Sequence, residues 1–139
     1  MNALESIPIT IETAAGPGGV TENALPLLHE IRHALKRLQE NGEPTQFDLR
    51  AIPFAPGDEE RLLNLLGQGE VEAVVDALGE SKIIETSFPG VWVVSHYSPE
   101  NERIAFQIEV TDIPEILKTQ QADLEDSFLQ LSEALETES

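Results

Sequence analysis

Between Arg103 and Thr111 the chain alternates strictly, with Ile104, Phe106, Ile108 and Val110 on one side and Ala105, Gln107, Glu109 and Thr111 on the other. A period of two places every second side chain on one face of an extended strand, and a helix would mix these two sets. This is the clearest period-two signal in the 139 residues. Two runs just before it read the same way. Residues 91 to 98 set Trp92, Val94 and His96 against Val91, Val93, Ser95 and Tyr97, and residues 81 to 88 contain Ile83, Ile84 and Phe88. The Pro89–Gly90 turn between them is too short for a crossover, so the three strands form an antiparallel meander.

Upstream, Leu25, Leu28, Ile31, Leu35 and Leu38 recur at helical spacing, which predicts a helix from Asn23, its expected cap, to a stop at Asn41–Gly42. A strand over 45 to 52 then carries Phe47 and Leu49 on one face and Asp48 and Arg50 on the other, and breaks at Pro53 and Pro56. Gly57 and Asp58 open a short helix, with Asp58 expected at the N-cap and Glu59 and Glu60 in the favourable first turn. Gly67 and Gly69 flank one glutamine, the pattern of a helix end and an immediate restart with Glu70 at the new N-terminus. The spacing of Val71, Val74, Val75 and Leu78 predicts that the restarted element is a second short helix over 70 to 78, closed by Gly79. Past the meander, Pro114 initiates a turn to Leu117, and a C-terminal helix follows near 121 to 136.

The expected fold is α+β: a mainly antiparallel sheet (the three-strand meander plus an added strand) with helices packed on one face. Three segments organise the chain. Residues 1–23 have no Lys or Arg, a GPGG run at Gly16 to Gly19 and an alternating Ile7, Ile9, Ile11, and read as a flexible leader with a short edge strand. Residues 24–120 form the folded module, and 121–139 form an acidic helix and tail with no basic residue after Lys118.

The chain has no cysteine, which removes disulfides, thiolate metal sites, iron–sulfur ligation and cysteine nucleophiles. Its net charge of -18 comes from 26 acids and eight Lys and Arg, too few cations to build a nucleic-acid-binding face. The same charge disfavours acidic membrane surfaces. It serves solubility, or it steers a basic partner. No run approaches the roughly 18 apolar residues of a membrane span, and the N-terminus lacks a secretory pattern, so a cytoplasmic protein is expected.

Three patterns invite a chemical reading. His29-Glu30-Ile31-Arg32-His33 matches HExxH, in which two imidazoles one turn apart hold zinc and the glutamate acts as base. On this helix His29 and His33 project away from the leucine stripe, beside Lys36 and Arg37, so an exposed face is expected and a zinc hydrolase stands only as the alternative. Gly67, Gly69 and Glu70 precede an expected helix N-terminus, yet the spacing fits no phosphate-binding loop and Glu70 and Glu72 would repel a phosphate, so a tight helix–helix joint is expected. Trp92 packs in the core of the meander, or it anchors a partner together with Val94 and His96. No nucleophile elbow occurs.

Four phrases carry a family resemblance: DLRAIPFAPGDEERLL, LLGQGEVEAVVDALG, ETSFPGVWVVSHY and IEVTDIPEIL. In this order, and from about Leu25 to Lys118, they resemble the C-terminal domain of the HupH/HyaF-type hydrogenase expression/formation proteins. Having one module where long members have two, the chain looks like a single-module HupJ/HoxT-like relative. The resemblance implies a non-catalytic, cofactor-free accessory or chaperone-like protein in nickel–iron hydrogenase maturation. Its partners would be a hydrogenase structural subunit, the small iron–sulfur subunit above all, or other maturation factors. The candidate partner-binding residues are Trp92, Val94, His96, Gly67, Gly69 and Glu70. Because both faces of the meander are largely apolar and helices cover one, a homodimer is also expected.

Overall fold

The computed structural model describes residues 23 to 138, so the leader and its expected edge strand lie outside the described residues. Helix α1 spans Ala24–Asn41, α2 spans Asp58–Leu66 and α3 spans Gln121–Glu138. The strands are β1 (Thr45–Asp48), β2 (Glu72–Asp76), β3 (Glu80–Glu85), β4 (Val91–Tyr97) and β5 (Arg103–Val110). They form one sheet in the order β1-β5-β4-β3-β2, with every neighbouring pair antiparallel. The architecture is the expected α+β, with the meander extended to four strands and β1 added beside β5, where Phe47 faces Ile108.

Alternation sorts the sheet into two faces. On the first, Val91, Phe106, Ile108 and Val110 are buried against Ala24, Leu27, Ile31 and Ala34 of α1 and Leu62 and Leu66 of α2. Each large side chain buried there contributes about 1.5–3 kcal/mol. On the second, Ile83, Trp92 and Val94 form a smaller cluster edged by Ala73, Val75 and Leu117. Pro114 is buried, and the 3-10 turn Glu115–Leu117 that follows it folds Leu117 onto this cluster. The second face is therefore partly covered by the chain itself.

Several expectations are corrected. The buried arc of α1 centres on Ile31, with Ala24 and Ala34 inside and Leu25 exposed, because two alanines let the helix lie close to the sheet. Asn23 makes no side-chain cap; its amide donates to the Pro53 carbonyl at 2.6 Å and ties α1 to the loop before α2. The N-cap of α2 is Gly57 at φ 93, while Asp58 is buried and its Oδ2 accepts the Ala55 N–H at 2.9 Å. Strand β1 ends at Asp48, whose carboxylate accepts the Arg50 N–H at 3.0 Å and turns the chain so that Leu49 enters the core.

The largest correction falls on residues 70 to 78, which form no helix. β2 occupies Glu72–Asp76 and pairs with β3 from Glu72 opposite Ile84 to Asp76 opposite Glu80. The spacing of Val71, Val74, Val75 and Leu78 is that of a helix, but adjacent β-branched valines favour the extended chain and β3 supplies the backbone partners. Val75 packs on the second-face cluster, whereas Val71, Val74 and Leu78 are exposed rather than buried.

Candidate functional site

The two groups of residues marked out by the sequence meet at the end of β3. Gly67 ends α2 at φ +69, its N–H donating to the Leu63 carbonyl at 2.9 Å. The Leu66 carbonyl accepts both the Ser87 N–H (2.9 Å) and the Ser87 hydroxyl (2.6 Å). Gly69 N–H donates to the Glu85 carbonyl at 2.7 Å, and Glu70 N–H donates to Glu85 Oε1 at 3.2 Å. Glu85 in turn stands opposite Trp92 in the register of β3 and β4. The expected helix–helix joint is thus a helix-to-strand joint, with Gly67, Gly69 and Glu70 fastened to the turn that leads to the tryptophan.

Trp92 is 6% exposed, and its indole Nε1–H donates to the Thr111 carbonyl at 3.1 Å. The Thr111 N–H donates to the Gly90 carbonyl at 2.9 Å, so the residues on either side of β4's start and β5's end close on each other. Beyond Thr111, Asp112 Oδ1 accepts the Ile113 N–H at 2.8 Å and the Thr111 hydroxyl at 3.2 Å. These bonds, the Ile113 N–H first, hold the Asp112 carboxyl below the ordinary carboxylate range. Val94 is fully buried opposite Ile83. His96 is half-buried, with Nδ1 and the Ser81 hydroxyl 2.7 Å apart. The structure thus places Trp92 and Val94 in the packed layer, where a client would reach them only by displacing the Pro114–Leu117 turn.

His29, Glu30 and His33 are all exposed on α1. His96, the remaining histidine, shares the second sheet face with Trp92 and Val94, while α1 packs on the first, so the sheet stands between them. Among the described residues no group of three or more His, Cys, Asp or Glu is placed to hold a metal ion. The ion pair best organised here is structural: both guanidinium nitrogens of Arg103 reach Glu59 at 3.2 Å, tying β5 to α2. The Glu59 hydrogen bond raises the Arg103 guanidinium further above its already high value.

The sequence reading missed the edge of the sheet as a surface. Among the described residues β2 pairs with β3 alone, which leaves its outer backbone groups available to another strand. Along this edge Val71 is 43% exposed, Val74 54% and Leu78, at the tip of the β2–β3 hairpin, 95%. Leu78 has φ 52, and the only other non-glycine residue at positive φ among the described residues is Asn101 in the β4–β5 turn. Asparagine tolerates this region; a leucine there costs about 1–2 kcal/mol. Gly79 cannot relieve it by exchange of position, since it lies against the Tyr97 carbonyl with no room for a Cβ. The signal available in the sequence was the Val74–Val75 pair followed by Gly79, which suits a strand and a tight hairpin as well as a helix end.

Comparison with known proteins agrees with this geometry. Residues 21–137 match the family described as the HupH hydrogenase expression protein, C-terminal conserved region. The hydrogenase expression/formation protein HoxQ of Azotobacter vinelandii is 34% identical over 116 residues, covering 82% of this chain and 41% of that relative. The hydrogenase-1 operon protein HyaF of Escherichia coli is 29% identical over 111 residues, covering 80% of this chain and 38% of that relative. The chain thus spans about two-fifths of the length of these curated relatives. Among solved structures, the hydrogenase expression protein HupH from Thiobacillus denitrificans superposes with a TM-score of 0.79 at 40% identity, covering 84% of this chain and 98% of that one. Among the described residues no helix is long and apolar enough to cross a membrane. With residues 21–137 matched to the family and the fold shared with a solved relative at 40% identity, the chain belongs to the HupH hydrogenase expression protein family through that family's C-terminal conserved region.

Proposed function

We propose that this chain is a non-catalytic accessory protein of nickel–iron hydrogenase maturation, acting in the cytoplasm as a holder of an immature hydrogenase subunit. The small, iron–sulfur subunit is the client this reading favours, with other maturation factors as further partners. Family membership supports the maturation role, and the molecule's chemistry supports binding over catalysis. Among the described residues the titratable side chains sit in exposed or structural positions, and the chain has no cysteine.

One observation carries the binding mode. Leu78 is held at φ 52 with nearly all of its side chain in solvent, so it contributes strain and no burial to the monomer. A strained, exposed apolar residue next to an open strand edge is arranged for a partner, which would cover Leu78 and Val74 and add a strand to β2. Glu72 and Asp76 on the same strand discourage indiscriminate edge pairing. This surface belongs to the region 58 to 78, and Glu85 and the Gly69 joint fasten the opposite end of β2, where the Glu85 N–H donates to the Val71 carbonyl.

The test is complex formation between the purified chain and a purified immature small subunit, followed by gel filtration. The wild type is expected to co-elute with the client and Leu78→Asp to elute alone. Equal co-elution of both would move the client surface away from the hairpin.

A further inference from the structure

α3 is 18 residues long, about 27 Å at 1.5 Å per residue, and none of its residues is buried. Leu124, Phe128, Leu131 and Leu135 follow one another at spacings of four, three and four, and each is between 51% and 71% exposed. Such spacing makes a single apolar stripe. Asp123 borders the stripe on one side and Glu125 and Glu136 on the other, and the helix has six acids without one Lys or Arg. A helix of this kind is marginal by itself in water and belongs against a surface.

The matching surface is on α1. Arg32, Leu35, Lys36, Leu38, Gln39 and Pro89 line a groove along its outer flank, beside the turn between β3 and β4. Leu35 and Leu38 form a half-buried apolar floor, while Arg32 and Lys36 are exposed and neither is ion-paired among the described residues. In a chain with eight Lys and Arg in total, α1 holds three, Arg32, Lys36 and Arg37. The acidic, unburied α3 and the cationic, apolar groove on α1 are complementary in both charge and polarity.

We propose that two copies of this chain exchange α3, the stripe of each helix lying in the α1 groove of the other with its acids beside Arg32 and Lys36. The exchange is a two-fold arrangement in which each copy gives and receives the same element. It makes two helix-in-groove contacts, whereas direct pairing of two α3 helices makes one, and a stable interface needs about 1,200 Å² or more in total. Direct pairing would also bring together two helices of six acids each, with no cation between them. The groove and the stripe lie apart from the β2 hairpin, so this assembly stands or falls separately from the client surface.

Sedimentation equilibrium of the full chain in about 0.15 M salt tests the exchange. The wild type is expected at twice the 15.3 kDa chain mass. Phe128→Asp, the pair Arg32→Glu with Lys36→Glu, and the pair Glu125→Lys with Glu136→Lys are each expected to weaken the dimer about ten-fold or more. All of these positions are exposed, so circular dichroism should show the monomers still folded. Combining the two charge-reversed pairs is expected to restore the dimer, because the acids and cations then meet with signs exchanged. A wild-type mass of 15.3 kDa overturns the proposal. So does a failure of the combined variant to recover, or a dimer lost on Phe128→Asp but indifferent to Arg32→Glu with Lys36→Glu, which would show α3 pairing with α3.

Discussion

Gly69 lies so close to Thr86 that a Cβ on the glycine would collide with the Thr86 carbonyl oxygen and stand 2.8 Å from Glu85 Oε1. Its φ is ordinary, so it is space and not backbone freedom that requires glycine here. Gly67, two residues earlier, is required for its backbone, at φ 69 and ψ -167, and a Cβ there would also stand 2.9 Å from the Ser87 hydroxyl oxygen. Gly69→Ala is expected to cost about 3 kcal/mol, or roughly 10 °C in Tm, since backbone must move to admit the methyl. Gly67→Ala is expected to cost about 1–3 kcal/mol. Thermal melts of the two variants check the order, and an unchanged Gly69→Ala melt would mean the joint is looser than its hydrogen bonds indicate.

Trp92 separates packing from recognition. Trp92→Phe keeps most of the apolar volume but loses the bond to the Thr111 carbonyl, with an expected loss of about 1 kcal/mol. Trp92→Ala leaves a cavity beneath the Pro114–Leu117 turn and is expected to cost about 3–5 kcal/mol. Urea unfolding measures both. Near-normal stability of the alanine variant would place the tryptophan outside the core.

Asp112 gives a pH signature. Its carboxyl is lower in the folded chain than its ordinary value, so its contribution is present above about pH 4, where the unfolded form is already ionised. That contribution fades as pH falls through the depressed folded value. Asp112→Asn should therefore lower Tm at pH 7, and the gap from wild type should narrow below about pH 4. A gap that widens on acidification would contradict the assignment.

The HExxH match gives a metal prediction. Because His29 and His33 are exposed and His96 is across the sheet, His29→Ala with His33→Ala should shift stability by no more than about 0.5 kcal/mol. Adding one equivalent of zinc should leave the wild-type Tm unchanged. A zinc-dependent rise that the double variant abolishes would establish a site on α1.

How far the sequence was legible follows from which forces were local. β4 and β5 were readable because Ile104 to Val110 alternate over a full strand length, and α1 because its apolar residues repeat over nearly four turns. β2 was not, since Val71, Val74, Val75 and Leu78 stand at helical spacing and divide between the two faces of a strand, so the tertiary pairing with β3 overrides the local pattern. The exposure of Leu25 depends on how closely Ala24 and Ala34 let α1 approach the sheet, a packing fact with no single-residue signature. The glycine joint was visible as a special backbone site, but that Gly69 is there for space rather than for φ depends on Thr86, a residue 17 positions away. Trp92 carried two readings in the sequence, and the turn at Pro114 that settles its burial lies more than 20 residues downstream.

The client surface is tested most directly by Leu78→Gly, measured for stability and for affinity to an immature hydrogenase small subunit in parallel. Glycine relieves the left-handed strain of about 1–2 kcal/mol but gives back about 0.5–1 kcal/mol in unfolded-chain entropy, so Tm should hold or rise slightly. Affinity measured by calorimetry should fall about ten-fold or more if the proposed surface uses the exposed leucine as its anchor. A variant that is as stable as the wild type and weaker in binding shows that Leu78 is kept for the client. Unchanged affinity would contradict the account, since the strain at the hairpin tip would then serve neither the fold nor the partner.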